Sequence, residues 1–299
     1  MTRLSGCGTA LVTPFTSDGA VDFPALRGLV EWQVEQGIDF LVPCGSTGET
    51  PTLSVEERQQ VASLVVETVA GRVPVMAGAS HNSTTEAVNE ARRMSAIGAA
   101  WLLVACPAYN RPTPDGLLRH FLAIADASTV PICLYNVPGR TAVNLKPETV
   151  LRLAEHGNII GIKESSGDLA QVQHLLLGRP AGFAVLSGED WMTLAVMAAG
   201  GDGLVSVASN EIPAEMTALV AAAGAGRLDE ARAILFAVLP LLEANFLETN
   251  PAPVKAALAA MGRISDGLRL PLVPLSQGKR PALHAALRAA GVALRPELP

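Results

Sequence analysis

Lys163 closes the apolar run Ile159-Ile160-Gly161-Ile162, in a chain of 299 residues that carries four lysines against eighteen arginines. Burial disfavours an ammonium, and the neutral amine it leaves is a nucleophile toward a carbonyl carbon. Schiff-base chemistry is what this placement predicts. The other lysines lack the setting: Lys146 precedes a proline in a loop, Lys255 falls in a helical tail, and Lys279 sits beside Arg280 in a polar turn. Both tyrosines of the chain, Tyr109 and Tyr135, fall at the ends of apolar runs as well. With neighbouring strands about 4.8 Å apart, Tyr135 comes within reach of Lys163 and brings a phenol able to relay protons. The turn Gly45-Ser46-Thr47-Gly48 adds two hydroxyls and a set of amides, a combination that can hold a small carboxylate.

Eight short apolar runs must position these residues: GTALVT from Gly8, FLVPC from Phe40, VPVMAG from Val73, WLLVA from Trp101, PICLYN from Pro131, IIGIK from Ile159, FAVLS from Phe183 and GLVSV from Gly203. Amphipathic segments separate them, with helix-start signals at Ser54-Val55-Glu56-Glu57, Ser83-Thr84-Thr85-Glu86 and Thr113-Pro114. Strands buried on both faces read as continuous apolar runs, so the sheet should be parallel with helices outside it. Eight such units predict an α/β fold, a closed (β/α)8 TIM barrel, whose chemistry sits at the C-terminal strand ends. On strict alternation Ile159, Gly161 and Lys163 share the inner face and Ile160 and Ile162 meet the helices. Gly161 then leaves room beneath the lysine. After about residue 212 the pattern becomes rich in Ala and Leu at helical spacing. The organisation expected is a catalytic barrel over residues 1–225 and a C-terminal helical extension over 226–299 that packs on it.

The formal charge of −6 comes without a basic cluster, so neither nucleic acid nor an anionic membrane is an expected partner. No apolar stretch reaches the roughly 18 residues of a membrane span, and the N-terminus makes a poor signal peptide. A cytoplasmic enzyme acting on small molecules is the reading. Cys7, Cys44, Cys106 and Cys133 lack CxxC spacing and the five histidines are scattered, so free thiols and no metal site are expected.

From GTALVTPF through GSTGETPTLS, CPAYNRPT, LYNVPGRT and GIKESSGD to ETNPAPVKAAL and LRLPLVPLS, the chain resembles the dihydrodipicolinate synthase and N-acetylneuraminate lyase family, the pyruvate-dependent class I aldolases. The resemblance runs nearly end to end. Its synthase branch is the better match, which implies a lyase, of the carbon–oxygen class, that condenses pyruvate with L-aspartate-4-semialdehyde in lysine and diaminopimelate biosynthesis and needs no cofactor. Lys163 is then the Schiff-base residue, Tyr135 the proton donor and acceptor, and Ser46 and Tyr109 the rest of a proton relay. Thr47 and the backbone at Val205 hold pyruvate, and Arg140, in GRT, binds the carboxylate of the aldehyde, a task suited to a guanidinium fork. The residue matching Tyr109 crosses from a neighbouring subunit in this family, which implies a homotetramer built as a dimer of dimers.

Two departures stand out. The synthases usually have threonine at the relay position, whereas Ser46 stands here, as serine does in the neuraminate lyases. Val55, Arg58 and Ala108 stand where feedback-sensitive synthases resemble one another in carrying histidines and a tyrosine, which implies weak or absent inhibition by lysine. The alternatives left open are an aldolase or dehydratase of the same family acting on a 2-keto-3-deoxy sugar acid or N-acetylneuraminate, and a barrel that binds pyruvate without turnover.

Overall fold

The computed structural model describes residues 3–295, so the ends of both expected segments, 1–2 and 296–299, lie outside the described residues. Eight parallel strands alternate with helices: β1 Gly6–Ala10, α1 Phe23–Glu35, β2 Phe40–Val42, α2 Val55–Val69, β3 Met76–Gly78, α3 Thr84–Ala96, β4 Trp101–Ala105 and α4 Pro114–Ala127. Then come β5 Ile132–Asn136, the single turn α5 Pro138–Thr141, α6 Pro147–Leu153, β6 Ile159–Glu164, α7 Leu169–Gly178, β7 Ala184–Ser187, α8 Thr193–Ala198, β8 Gly203–Ser206 and α9 Pro213–Gly224. The strands run in the order β2-β1-β8-β7-β6-β5-β4-β3. A parallel bridge from Leu41 to Val75 joins the two ends, so the sheet closes into a TIM barrel.

Apolar side chains fall into two layers. Phe40, Met76, Trp101, Leu103, Leu186 and Val205 fill the barrel, with Phe40 and Trp101 edge to face at 5.9 Å. A larger cluster, including Leu41, Leu102, Leu134, Ile162 and Val185, packs the outer faces of the strands against the helices. The barrel is thus a plugged core with a site only at its mouth.

One strand departs from simple alternation. Ile132 pairs with Ile159 but Cys133 pairs with Gly161, so β6 carries an extra residue at Ile160. Ile159 and Ile162 both join the helix-facing core, and Ile160 packs against the interior cluster instead of meeting the helices as expected. A bulge shifts the phase by one residue, which period-two reasoning cannot see. Above it the register is regular, and Tyr135 lies directly opposite Lys163. Gly161 has a physical reason beyond spare room: a Cβ there would sit 2.7 Å from the Ala184 carbonyl oxygen of β7.

Local signals fixed most helix starts. Ser54 Oγ accepts from the Glu57 amide at 3.1 Å while Glu57 accepts from the Ser54 amide at 2.9 Å, a complete capping box. Thr113 caps α4 ahead of Pro114. At Ser83 the expected side-chain cap is not made, and the Ser83 amide donates to His81 Nδ1 at 3.0 Å.

Three further helices, α10 Leu228–Ala244, α11 Ala252–Ala260 and α12 Arg280–Ala289, follow the last barrel helix. Helix α10 packs on α8 and α9, and α11 reaches the turn after β8. The four cysteines are buried and free. Among the described residues no helix is long and apolar enough to cross a membrane.

Candidate active site

Lys163 reaches the C-terminal rim of the barrel at the end of β6 and is only 5% exposed. Its Nζ lies 4.2 Å from the ring centroid of Tyr135, itself buried on β5. A second lysine shows what burial without chemistry looks like. Lys255, on α11, is completely buried, and its Nζ donates to Glu49 at 2.6 Å while resting 4.2 Å from the centre of the Phe15 ring. Burial lowers the pKa of Lys255 and Glu49 pulls it back up. No carboxylate stands within ion-pair distance of Lys163 among the described residues, so its nitrogen is held by packing and by the face of a tyrosine ring.

Beside this pair opens a cavity of about 550 Å3 whose lining includes Ser46, Tyr135, Arg140 and Asn250. That is ample for two small acids. Ser46 and Thr47 sit in the turn after β2, where Cys44 and Glu49 both adopt positive φ, 57° and 55°. Such a strained turn needs outside support. Thr13 Oγ1 donates to the Gly48 carbonyl at 2.8 Å, and the rest comes from the C-terminal segment. Asn250 Nδ2 donates to Thr47 Oγ1 at 2.9 Å, and Glu49 binds Lys255 and the Arg269 amide. Arg140, exposed on α5, donates to the Asn250 carbonyl at 3.3 Å. One residue of the extension therefore touches both residues expected to hold carboxylates.

The remaining expected residues are placed differently. Val205 is fully buried on β8, paired with Gly8 of β1, with its side chain in the interior layer. Tyr109 stands apart from the cavity, 92% exposed and at φ 73°. Within one chain the fold brings Lys163, Tyr135, Ser46, Thr47 and Arg140 together and leaves Tyr109 pointing away.

Sequence reasoning missed several residues that shape the site. Glu164 turns its carboxylate to the far side of the strand, where Asn136, Gln171 and the Ser166 amide donate to it at 2.7–3.1 Å. Burial raises its pKa and these hydrogen bonds oppose the rise. Its work is to lock β5, β6 and the following loop, which fixes the strand end that carries Lys163. Gly188, after β7, is pressed against the lysine: a Cβ there would lie 1.9 Å from Ser165 Oγ and 2.9 Å from Lys163 Cε.

A model of the dihydrodipicolinate synthetase family matches residues 3–290. The chain belongs to that family. Among dihydrodipicolinate synthetase relatives, the 4-hydroxy-tetrahydrodipicolinate synthase of Koribacter versatilis is 54% identical over 97% of each chain, and that of Acidobacterium capsulatum is 52% identical over 99% of each. The solved dihydrodipicolinate synthase from Acinetobacter baumannii, a chloride-inhibited form complexed with pyruvate, superposes with a TM-score of 0.96 at 42% identity, covering 97% of this chain and all of that one. A monomeric dihydrodipicolinate synthase variant superposes with a TM-score of 0.95 at 41% identity, covering 97% of each chain.

The close fit of Gly188 gives a test of how this dihydrodipicolinate synthetase family member positions its lysine. Gly188→Ala forces the Lys163 stem and Ser165 to move, and kcat/KM should fall by about 10²-fold, as misplacements near 1 Å do. Ser165→Ala in the same chain removes the tighter clash. Steady-state kinetics should show part of the activity restored.

Proposed function

We propose that the chain catalyses the reaction of a 4-hydroxy-tetrahydrodipicolinate synthase, the condensation of pyruvate with L-aspartate-4-semialdehyde. The observation that carries this is Lys163: a buried amine with no ion-pair partner among the described residues, opposite Tyr135, at a barrel strand end in a chain about half identical to synthases of that name. Lys163 adds to the keto carbon of pyruvate, and loss of water gives an imine. A methyl proton then leaves and the imine becomes an enamine. The enamine carbon forms the new bond to the aldehyde carbon. The substrate amine next displaces Lys163 and closes a six-membered ring. Ring closure makes a carbon–nitrogen bond of the product, the bond that the reverse reaction cleaves, so this lyase acts on a carbon–nitrogen bond and not on the carbon–oxygen bond expected from the sequence.

Tyr135 stands where a phenol can deliver and remove protons at the imine, and Ser46 can pass them on. Thr47, held by Asn250, and the backbone at Val205 receive the pyruvate carboxylate, and Arg140 receives that of the aldehyde. The exposure of Tyr109 supports a role across an interface, in a homodimer or a tetramer of two dimers. Residues 1–225 then form the catalytic barrel and 226–299 the extension that braces its mouth. A cytoplasmic location accords with this metabolism.

Borohydride reduction with pyruvate should add the three-carbon acid to the peptide carrying Lys163, and mass analysis locates it. Adduct on any other peptide overturns the mechanism. Arg140→Ala should leave that trapping intact while lowering kcat/KM for aspartate semialdehyde by about 10²-fold, the scale of one charge-assisted bidentate contact at about 3 kcal/mol. Normal use of aspartate semialdehyde by that variant would favour a family member with a longer sugar acid as substrate. Lysine at low millimolar concentration should leave the rate unchanged, because the Arg58 guanidinium is taken up by Glu90 at 2.9 Å and Ala108 offers no ring. A lysine titration in a coupled reductase assay checks this.

A further inference from the structure

Ring closure needs a base for the substrate's own amine, and Tyr135 and Ser46 are assigned to the protons of the imine. Aspartate semialdehyde carries its amine as an ammonium, and an ammonium has no lone pair with which to attack the imine carbon. In aspartate semialdehyde the ammonium and the carboxylate sit on the same carbon, so a carboxylate held by Arg140 brings the ammonium with it, while the aldehyde end has to reach Lys163. The carboxylates near this spot are Glu164, Asp190 and Glu189. Glu164 faces away and is bonded by Asn136, Gln171 and Ser166. Asp190 is buried and accepts from the Val207 and Ala208 amides at 3.1 and 3.0 Å.

Glu189 is different. It follows Gly188, the residue packed on the Lys163 stem. Its backbone is held firmly: the carbonyl accepts from Ser187 Oγ at 2.8 Å and from the Met192 amide at 3.1 Å, and the amide donates to Ser187 Oγ at 3.3 Å. Its carboxylate has no hydrogen-bond or ion-pair partner among the described residues, although the side chain is only partly exposed. The charges of Lys163 and Glu164 on β6, Arg140 on α5 and its neighbour Asp190 all bear on it.

Resting on the synthase reading, we propose that Glu189 is a catalytic residue, receiving the ammonium group of aspartate semialdehyde and taking its proton so that the ring can close. The proton moves from nitrogen to the Glu189 carboxylate, and the freed lone pair forms the new carbon–nitrogen bond at the imine carbon. A proton passes from the incoming nitrogen to the lysine nitrogen, and the electron pair of the old carbon–nitrogen bond leaves with Lys163. Nothing is oxidised or reduced. Burial pushes the Glu189 carboxyl up to about 7, against the pull of Lys163 and Arg140 and with the push of Asp190 and Glu164. That is the range in which one group can accept and return a proton near neutrality. The carboxylate is the working form, so turnover should fall as pH drops through about 7.

The test is Glu189→Gln, read by borohydride trapping and by kinetics. The variant should trap pyruvate on Lys163 as the parent enzyme does, and with 4-oxobutanoate, the same aldehyde without its amine, both should trap equal amounts of the condensed adduct. With aspartate semialdehyde the variant should lose about 10²-fold or more in kcat, and the condensed adduct should accumulate on Lys163. The acidic limb of its rate profile should disappear. Glu189→Asp should restore part of the rate and the limb. A Glu189→Gln enzyme that keeps kcat within twofold and accumulates no adduct overturns the proposal, as does a variant in which pyruvate trapping itself is lost. Failure of the unmodified enzyme to trap pyruvate on Lys163 strikes the Schiff-base reading first, and the role of Glu189 with it.

Discussion

Lys163→Met is expected to yield a protein that folds, resists heat better than its parent and has no measurable turnover. The lysine is 5% exposed, and its Nζ has a tyrosine ring for company instead of a carboxylate. Replacing such a group by an apolar side chain of similar length removes the cost of an imperfectly satisfied buried polar group, about 1–3 kcal/mol. The same substitution removes the amine proposed to link covalently to the keto acid, and loss of a covalent nucleophile costs about 10⁴-fold or more in rate. Thermal melts and a coupled assay on the same preparation check both halves. Retention of even a hundredth of the activity would mean that the amine is not the nucleophile. A site that stores instability where it does chemistry is the general pattern here.

Lys255→Met should do the opposite, destabilising the fold by about 3–5 kcal/mol, because it strands Glu49 without the partner 2.6 Å away in a fully buried pair. Pairing it with Glu49→Leu should recover most of the loss, since two apolar side chains can replace a buried ion pair at little cost. Chemical denaturation of the two single variants and the double variant gives the coupling energy directly. The single variant should also lose activity beyond what unfolding explains. Glu49 anchors the turn that carries Ser46 and Thr47, and Thr47 loses rigidity when the anchor goes. A double variant with recovered stability and still-impaired use of pyruvate would show that the pair sets the geometry of the turn as well as the stability of the fold.

These two lysines also mark how far sequence reasoning reaches. Lys163 follows an apolar run directly, so its burial at a strand end is a local property, readable from four preceding residues. Lys255 sits in PVKAALAA, where helical spacing of small apolar residues hints at a packed helix but gives no sign that the lysine points inward. Its partner lies 206 positions away. Asn250 and Thr47 are separated by 203 positions. Glu189 follows a strand end, yet neither its burial nor the charges that face it could be read from SGED alone.

The alternation of apolar runs and amphipathic segments determined the strands, the parallel sheet and the set of strand ends where chemistry would sit, because a strand buried on both faces needs only its own residues to be recognised. Tertiary structure decided the rest. The bulge at Ile160 was set by pairing with β5, the outward turn of Tyr109 by the loop after β4, and the bracing of the β2 turn by residues from the far end of the chain. Such features depend on which distant segments come into contact, and closing a barrel brings them together in ways that no local period records.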